Sequence, residues 1–453
     1  MNKKIFKKYM QQGLGRCAVA LKSSQDAEKY KDTVLWGCLN NLSYDLQCEG
    51  TRAGYVYSLT TYFNDTDYFL SPVIEAFDAL PRRSDELFAH LCDLLLEFAK
   101  AGNNNAKDAL VKKYGELLAS LESKRNFRGY DYERDRLERI AISLLACGGE
   151  DTVLKTAEEL GALFTKNKHY GADEFDWLCD FMAHTLGAKK LGSLLKKASA
   201  KSDNIAAFYE SYTNVENYPQ EAERGLKGIP NAEKIEADLI SSGRLSPSSK
   251  VRFARFGNTE EKLKLAEAAV KNTDTAIKAE LLSLFALRDE GFPLPHEILI
   301  EYSKSNDEAL SNVALDVLTS CISDEVKHYA LTLLMDGRYK YQAIKMLISN
   351  YGKDVKEIIS AELSKIRVDY NDTENWHSID MKILDAADLG VKLPKELLLY
   401  VYETSLCSCC REYAINAMAK RRMLTPDIIE ECIYDSNANI RSYATKLKKS
   451  RKS

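Results

Sequence analysis

The residues most able to do chemistry lie in "LSYDLQCEGTRAGYVYSL", residues 42–59. Asp45, Glu49 and Arg52 recur at spacings of four and three. On a helix turning about 100° per residue they project within about 60° of one another. Two carboxylates and a guanidinium so placed can clamp a polar ligand or move a proton. The same spacing also describes an ordinary ion-pair set, worth about 0.2–0.5 kcal/mol per pair. Leu42, Leu46, Ala53 and Tyr57 form the neighbouring apolar stripe, which puts the charges at the edge of a buried face. Gly50 and Gly54 each cost a helix about 1 kcal/mol relative to alanine, so stability alone does not account for them. Tyr44, Tyr55 and Tyr57 add aromatic surface of the kind binding patches favour. Tyr44, Asp45, Glu49, Arg52, Tyr55 and Tyr57 are therefore the expected partner-binding set.

Other reactive residues point less clearly to a site. Cys407, Cys409 and Cys410 in "CSCC" suggest metal, but zinc sites made of cysteine usually draw on two separated pairs. No second pair lies nearby and Cys432 stands alone, so these cysteines are expected in a core or at a helix start, with no metal. Cys179 and His184 are five apart, which does not place them on one helix face. The six histidines are scattered and no His-Glu-x-x-His occurs. There is no GxGxxG, P-loop or GxSxG, so no cofactor is expected and no reaction is named. Two basic stretches remain, "AKRRM" with Lys420, Arg421 and Arg422, and "KLKKSRKS" with Lys446, Lys448 and Lys449. The first reads as a helix C-terminus, where cations meet the favourable end of the macrodipole. The second reads as a frayed tail. Either is a possible contact for phosphate or an acidic partner.

The elements that position these residues are helical. Only 9 of 453 residues are proline and 22 are glycine, against a usual proline share of ~5%. A chain this long exceeds a single core. The basic start has an apolar run only from Cys17 to Leu21, too short for a signal-peptide core of about 7–15 residues. No stretch reaches the ~18 apolar residues of a membrane span. With 11 cysteines, an odd number, the reading is a cytoplasmic protein with reduced thiols. Net charge is −4. Residues 1–150 hold 21 basic and 21 acidic residues, residues 151–410 hold 32 and 41, and residues 411–453 hold 10 and 5. An acidic body with a basic end does not suit wrapping nucleic acid along its length.

The second half repeats. "GFPLPHEI" at 291–298 and "GVKLPKEL" at 390–397 share Gly, Leu, Pro and Glu in register, and "LTPDII" and "LSPSSKV" are looser relatives. Each reads as a stop, a turn and a helix start, with Thr425 as an N-cap. Later helices align on Leu281, Ala314, Ala343, Ile383, Ala414 and Ala444, at intervals of 33, 29, 40, 31 and 30 residues. Leu310, Cys410 and Ile440 stand four before three of them. Helix pairs of this length, stacked on their neighbours, make an α-solenoid. "NIRSYA" at 439–444 and "CREYA" at 410–414 resemble the HEAT and armadillo-like repeats over roughly residues 270–450. Several periods are shorter than that family's ~40–47 residues, and "ALSNVA" lacks its basic residue.

The resemblance implies an all-α, right-handed superhelix of antiparallel helix pairs and says little of function. Residues 1–210 read as less regular helices, 211–247 as a joint and 248–453 as repeats. The expectation is a non-catalytic scaffold or adaptor that binds a protein partner, with no membrane. The alternative is a nucleic-acid-binding protein or enzyme similar to the helical-repeat DNA glycosylases. For it Asp45, Glu49, Trp36, Trp177 and Trp376 would be nominated, and no motif chooses among them.

Overall fold

The computed structural model describes residues 1–23, 26–81, 84–125, 130–216, 231–286, 291–368 and 373–450. Among the described residues there are 27 α-helices, two 3-10 turns and no strand. Helix starts follow local chemistry. Asp65, Asn103, Asp131, Asn231, Asn258, Asp307 and Ser323 each accept a hydrogen bond from the amide three residues on, the arrangement that satisfies an orphan donor of the first turn. Within helices the apolar positions keep a period of 3.6. In the helix Asp85–Lys100, Phe88, Leu91, Leu94, Leu95 and Phe98 are all buried, as are Leu137, Ala141 and Leu145 in Tyr132–Ala146.

The chain forms two compact units, one of residues Met1–Gln220 with Thr425–Ser453 and one of Glu221–Leu424. Of the joint expected at 211–247, residues 217–230 lie outside the described residues. The remainder closes the helix Asp203–Glu216 and opens Ala232–Ser242.

In the first unit the core runs from Phe6 to Tyr212. Phe6 stacks on Tyr30 at 4.3 Å and Phe77 on Phe88 at 5.2 Å. The segment 425–450, expected at the end of the repeats, packs on the N-terminal helices of this unit. The Ser436 amide donates to the Gly13 carbonyl at 2.8 Å, and Arg16 Nε meets Glu431 Oε1 at 2.8 Å.

In the second unit alternate helices pack in a row. Pro247–Phe256, Thr275–Ala286, Glu308–Leu318, Lys340–Ser349, Thr373–Asp388 and Ser408–Lys420 make up this row. Within it, Thr275–Ala286 and each helix after it packs on the one before. Intervening helices such as Thr259–Lys271, Asp324–Met335 and Lys395–Thr404 pack against that row. Five of the six repeat anchors fall in this row, Leu281, Ala314, Ala343, Ile383 and Ala414, and all are buried; the sixth, Ala444, is buried in the first unit instead. Small or branched residues at these points let neighbouring helices approach. The expected helix starts are met in part. Pro247 and Pro426 occupy the first helical turn, Pro394 is an N-cap and Pro295 lies two residues ahead of its helix. Thr425 holds the N-cap position but its side chain makes no capping bond.

One buried titratable group in the first unit carries a pH signature. His90 Nε2 lies 3.1 Å from the carbonyl oxygens of both Gly37 and Cys38, so this nitrogen carries the proton and donates. Its Nδ1 is buried with no hydrogen-bond partner among the described residues. A second proton would put a charge in the core, and burial pushes the pKa down to about 4. The unfolded chain takes that proton near pH 6.5. The stabilisation is complete above pH 6.5 and is lost as pH falls toward 4. His90→Gln keeps an N–H donor and cannot titrate. The stability difference between wild type and this variant, from urea unfolding, is expected to shrink by about 3 kcal/mol from pH 7 to pH 4. A difference independent of pH would overturn this.

Candidate functional sites: an acidic aromatic stripe and a thiol–imidazole cluster

The segment around Asp45 is not one helix. Asp45 caps a short helix, Leu46–Glu49, accepting from the amides of Gln47 at 2.9 Å and Cys48 at 3.2 Å. Gly50, at φ 68°, ends it in a conformation that a Cβ resists, and a second helix runs Ala53–Thr60. The break turns the charges inward. Glu49 folds back to accept from the Tyr44 and Asp45 amides and meets Arg52 Nη2 at 3.1 Å through both oxygens. The two side chains are only 2% and 3% exposed. Arg52 also donates to the Gln11 carbonyl in the last turn of the helix Lys3–Gln12, where a cation is favoured. Tyr55 is buried and its hydroxyl donates to the Leu14 carbonyl at 2.8 Å. Tyr57 packs edge-on against Phe98 at 5.0 Å. Glu49, Arg52 and Tyr55 thus brace the interior, and of the expected surface patch Tyr44, Asp45 and Tyr57 keep partial exposure.

The basic residues separate. Lys420, Arg421 and Arg422 belong to one unit and Lys446, Lys448 and Lys449 to the other. Arg421 donates to the carbonyls of Ala417 at 3.2 Å and Ala387 at 2.6 Å, and so caps two helix ends. Lys448 pairs with Glu430. Lys420, Arg422, Lys446 and Lys449 are exposed.

A feature not singled out from sequence lies on the helix Asp176–Leu186 and the turn before it. Asp173, Asp176, Trp177 and Asp180 are all exposed; Asp176, Trp177 and Asp180 share one face of the helix, and Asp173 lies in the 3-10 turn just before it. Trp177 is 68% exposed. The three aspartates make no ion pair among the described residues. Beside them lies the start of the helix Tyr132–Ala146, where the ring of Tyr132 meets that of Tyr130, just ahead of the helix, at 4.8 Å. Two bonds fix the neighbours together. Arg134 donates to the Glu174 carbonyl, and the Leu178 amide donates to Glu138 Oε1 at 2.9 Å. Burial raises the Glu138 pKa to about 7 against that bond.

The second unit gathers the thiols. Cys407 is the N-cap residue of the helix Ser408–Lys420 and Cys410 lies in its first turn. His377 projects from the helix Thr373–Asp388, and its Nε2 is 3.3 Å from Cys410 Sγ. The two Sγ atoms and a ring nitrogen of His377 all lie within 4.8 Å of one another. Cys407 and Cys410 are 6% and 2% exposed, while His377 is half-buried. The Cys410 thiol donates toward Cys407, and with His377 this pushes the Cys407 pKa down to about 4 despite burial. The same pairing and burial push Cys410 up. Asp380, one turn after His377, is buried and Ser405 bonds to it, yet burial holds its carboxyl well above the usual range. Its Oδ2 has no hydrogen-bond partner among the described residues. Cys409 is only partly buried and is not in the cluster. The C-x-x-C spacing was visible in the sequence, but the third group lies 30 residues earlier on another helix.

Of the tryptophans, Trp36 lies under the Lys7 ammonium at 3.6 Å, Trp376 is buried and Trp177 is open to solvent.

No protein-family model matches the chain, and no curated protein matches it. A solved structure described as the crystal structure of an engineered protein aligns over 100% of both chains at 15% identity, with a TM-score of 0.19. A score that low carries no argument about fold or function.

Proposed function

We propose that the protein is a non-catalytic scaffold of HEAT-like stacked helix pairs that holds a basic segment of a protein partner. The alternate-helix packing within the second unit is what stacked pairs produce. The observation that carries the binding role is the exposed set Asp173, Asp176, Trp177 and Asp180. Like charges three or four apart weaken a helix by a few tenths, roughly 0.2–0.5 kcal/mol per pair, and a tryptophan in water contributes nothing to the core. Asp176 also serves the start of its helix, accepting from the Trp177 amide at 2.8 Å; the open indole does not serve folding. Together the aspartates and the indole suit lysine or arginine, which pairs with the carboxylates and stacks on the ring. The same charge repels phosphate and so disfavours the nucleic-acid alternative at this face.

The test uses an array of peptides graded in Lys/Arg content, read by tryptophan fluorescence. Basic peptides are expected to bind and to perturb emission. Trp177→Ala is expected to weaken that binding about 30-fold, the ~2 kcal/mol of a hot-spot aromatic, with the melting temperature unchanged. Binding indifferent to Trp177, or steeply salt-dependent binding of DNA with none of basic peptides, would overturn the reading.

A further inference from the structure

We propose that His377, Cys407 and Cys410 hold one thiophilic divalent cation of the zinc class, with Asp380 one turn after His377 on the same helix. Zinc–sulfur and zinc–nitrogen bonds of about 2.3 and 2.0–2.1 Å place tetrahedral donors roughly 3.5–3.8 Å apart. The three donor atoms already lie within 4.8 Å of one another, with Cys410 Sγ and His377 Nε2 at 3.3 Å. Side-chain shifts of about an ångström bring these three donors to tetrahedral spacing. Two thiolates and an imidazole select zinc-class metals over magnesium or calcium, which take oxygen ligands.

A separate observation points the same way. Asp380 is 1% exposed and its Oδ2 has no hydrogen-bond partner among the described residues. A polar oxygen left without a partner in a core is costly, and a dication held by the neighbouring cluster would offset that cost. A redox dithiol is the competing use of a C-x-x-C at a helix start. Exchange with a partner's disulfide needs an accessible sulfur, and here both are buried. An ion needs less room. Cys410 Sγ touches Met381 Sδ at 3.8 Å, and Met381, 42% exposed, leads from the cluster to solvent. Binding would displace the proton held between the two sulfurs and cross-link the helix Thr373–Asp388 to the turn and first residues of Ser408–Lys420.

The probes are Zn(II) and Co(II) added to the reduced full-length chain. One cobalt per chain is expected, with the thiolate-to-cobalt charge-transfer band and the visible bands of a tetrahedral site. Cys407→Ser and Cys410→Ser are expected to abolish those bands. His377→Ala is expected to weaken binding at least tenfold, and Cys409→Ser to leave it intact. Zinc is expected to raise the melting temperature of wild type but not of Cys407→Ser. Because a substitution here can disturb the fold, a second measurement uses wild type alone. Zinc is expected to shield Cys407 and Cys410 from alkylation, mapped by peptide mass spectrometry, while Cys48 and Cys147 stay reactive. No cobalt band, a band that survives both serine variants, or ready formation of a Cys407–Cys410 disulfide with no zinc protection would overturn the proposal.

Discussion

Arg52→Ala is expected to destabilise the first unit by about 3–5 kcal/mol, the cost of breaking a buried ion pair from one side. The guanidinium serves two acceptors at once, both oxygens of Glu49 and the carbonyl of Gln11. Without it, a carboxylate whose side chain is 2% exposed stays in the interior. The carbonyl at the end of Lys3–Gln12 also loses its cation. Glu49→Ala is expected to cost nearly as much. The pair Glu49→Leu with Arg52→Met is expected to cost less than either single truncation, since well-packed apolar residues can replace a buried pair almost neutrally. Chemical unfolding gives the cycle, and amide exchange across the helix Ala53–Thr60 localises the loss. An Arg52→Ala variant within ~0.5 kcal/mol of wild type, the range of an ordinary surface change, would mean that the pair carries no weight.

The same residues show what a local pattern can and cannot reveal. Helix type was readable because it follows from neighbours a few residues apart: few prolines and a 3.6-residue apolar period. The burial of Leu281, Ala314, Ala343, Ile383 and Ala414 follows from that period alone. The placing of Glu49 and Arg52 does not. Projecting them onto one helix face assumed an unbroken helix, and the left-handed Gly50 invalidates it. Glu49 then turns back on the Tyr44 amide instead of outward. Pairing between distant segments is harder still. Nothing in the period of 425–450 says that it docks on residues near Gly13, because that contact depends on shapes brought together only by folding.

The functional candidates divide along the same line. Asp176, Trp177 and Asp180 were legible as a helical stripe, while the place of Asp173 in the preceding 3-10 turn was not. They escape notice when periodicity is sought only among apolar residues, since a stripe of charge predicts no burial. The cluster of His377, Cys407 and Cys410 was half legible. C-x-x-C is a local signal, and the expectation of a core position is met, since both cysteines are buried. The histidine joins them because two row helices, Thr373–Asp388 and Ser408–Lys420, pack side by side. A search for a second cysteine pair in sequence cannot find an imidazole supplied by packing.

Gly15→Val is expected to cost the first unit about 3 kcal/mol, the upper end of overpacking, through the contact that the sequence hid. A Cβ at Gly15 would run into the Glu431 carbonyl oxygen, and it would stand 2.9 Å from the Tyr434 carbonyl carbon and 3.0 Å from the Asp435 nitrogen. All three are backbone atoms, which cannot rotate away as a side chain would. The chain must therefore separate there, stretching the Ser436–Gly13 hydrogen bond and the Arg16–Glu431 pair together. Limited proteolysis and amide exchange should show the helix Pro426–Cys432 released first. Gly54→Ala is the contrasting case: Gly54 is exposed in the helix Ala53–Thr60 and its Cβ would meet nothing within 4 Å. That change is expected to stabilise by about 0.4–1 kcal/mol through the unfolded chain. If Gly15→Val melted with wild type while Gly54→Ala behaved as expected, the docking of 425–450 on the N-terminal helices would not be what holds this unit together.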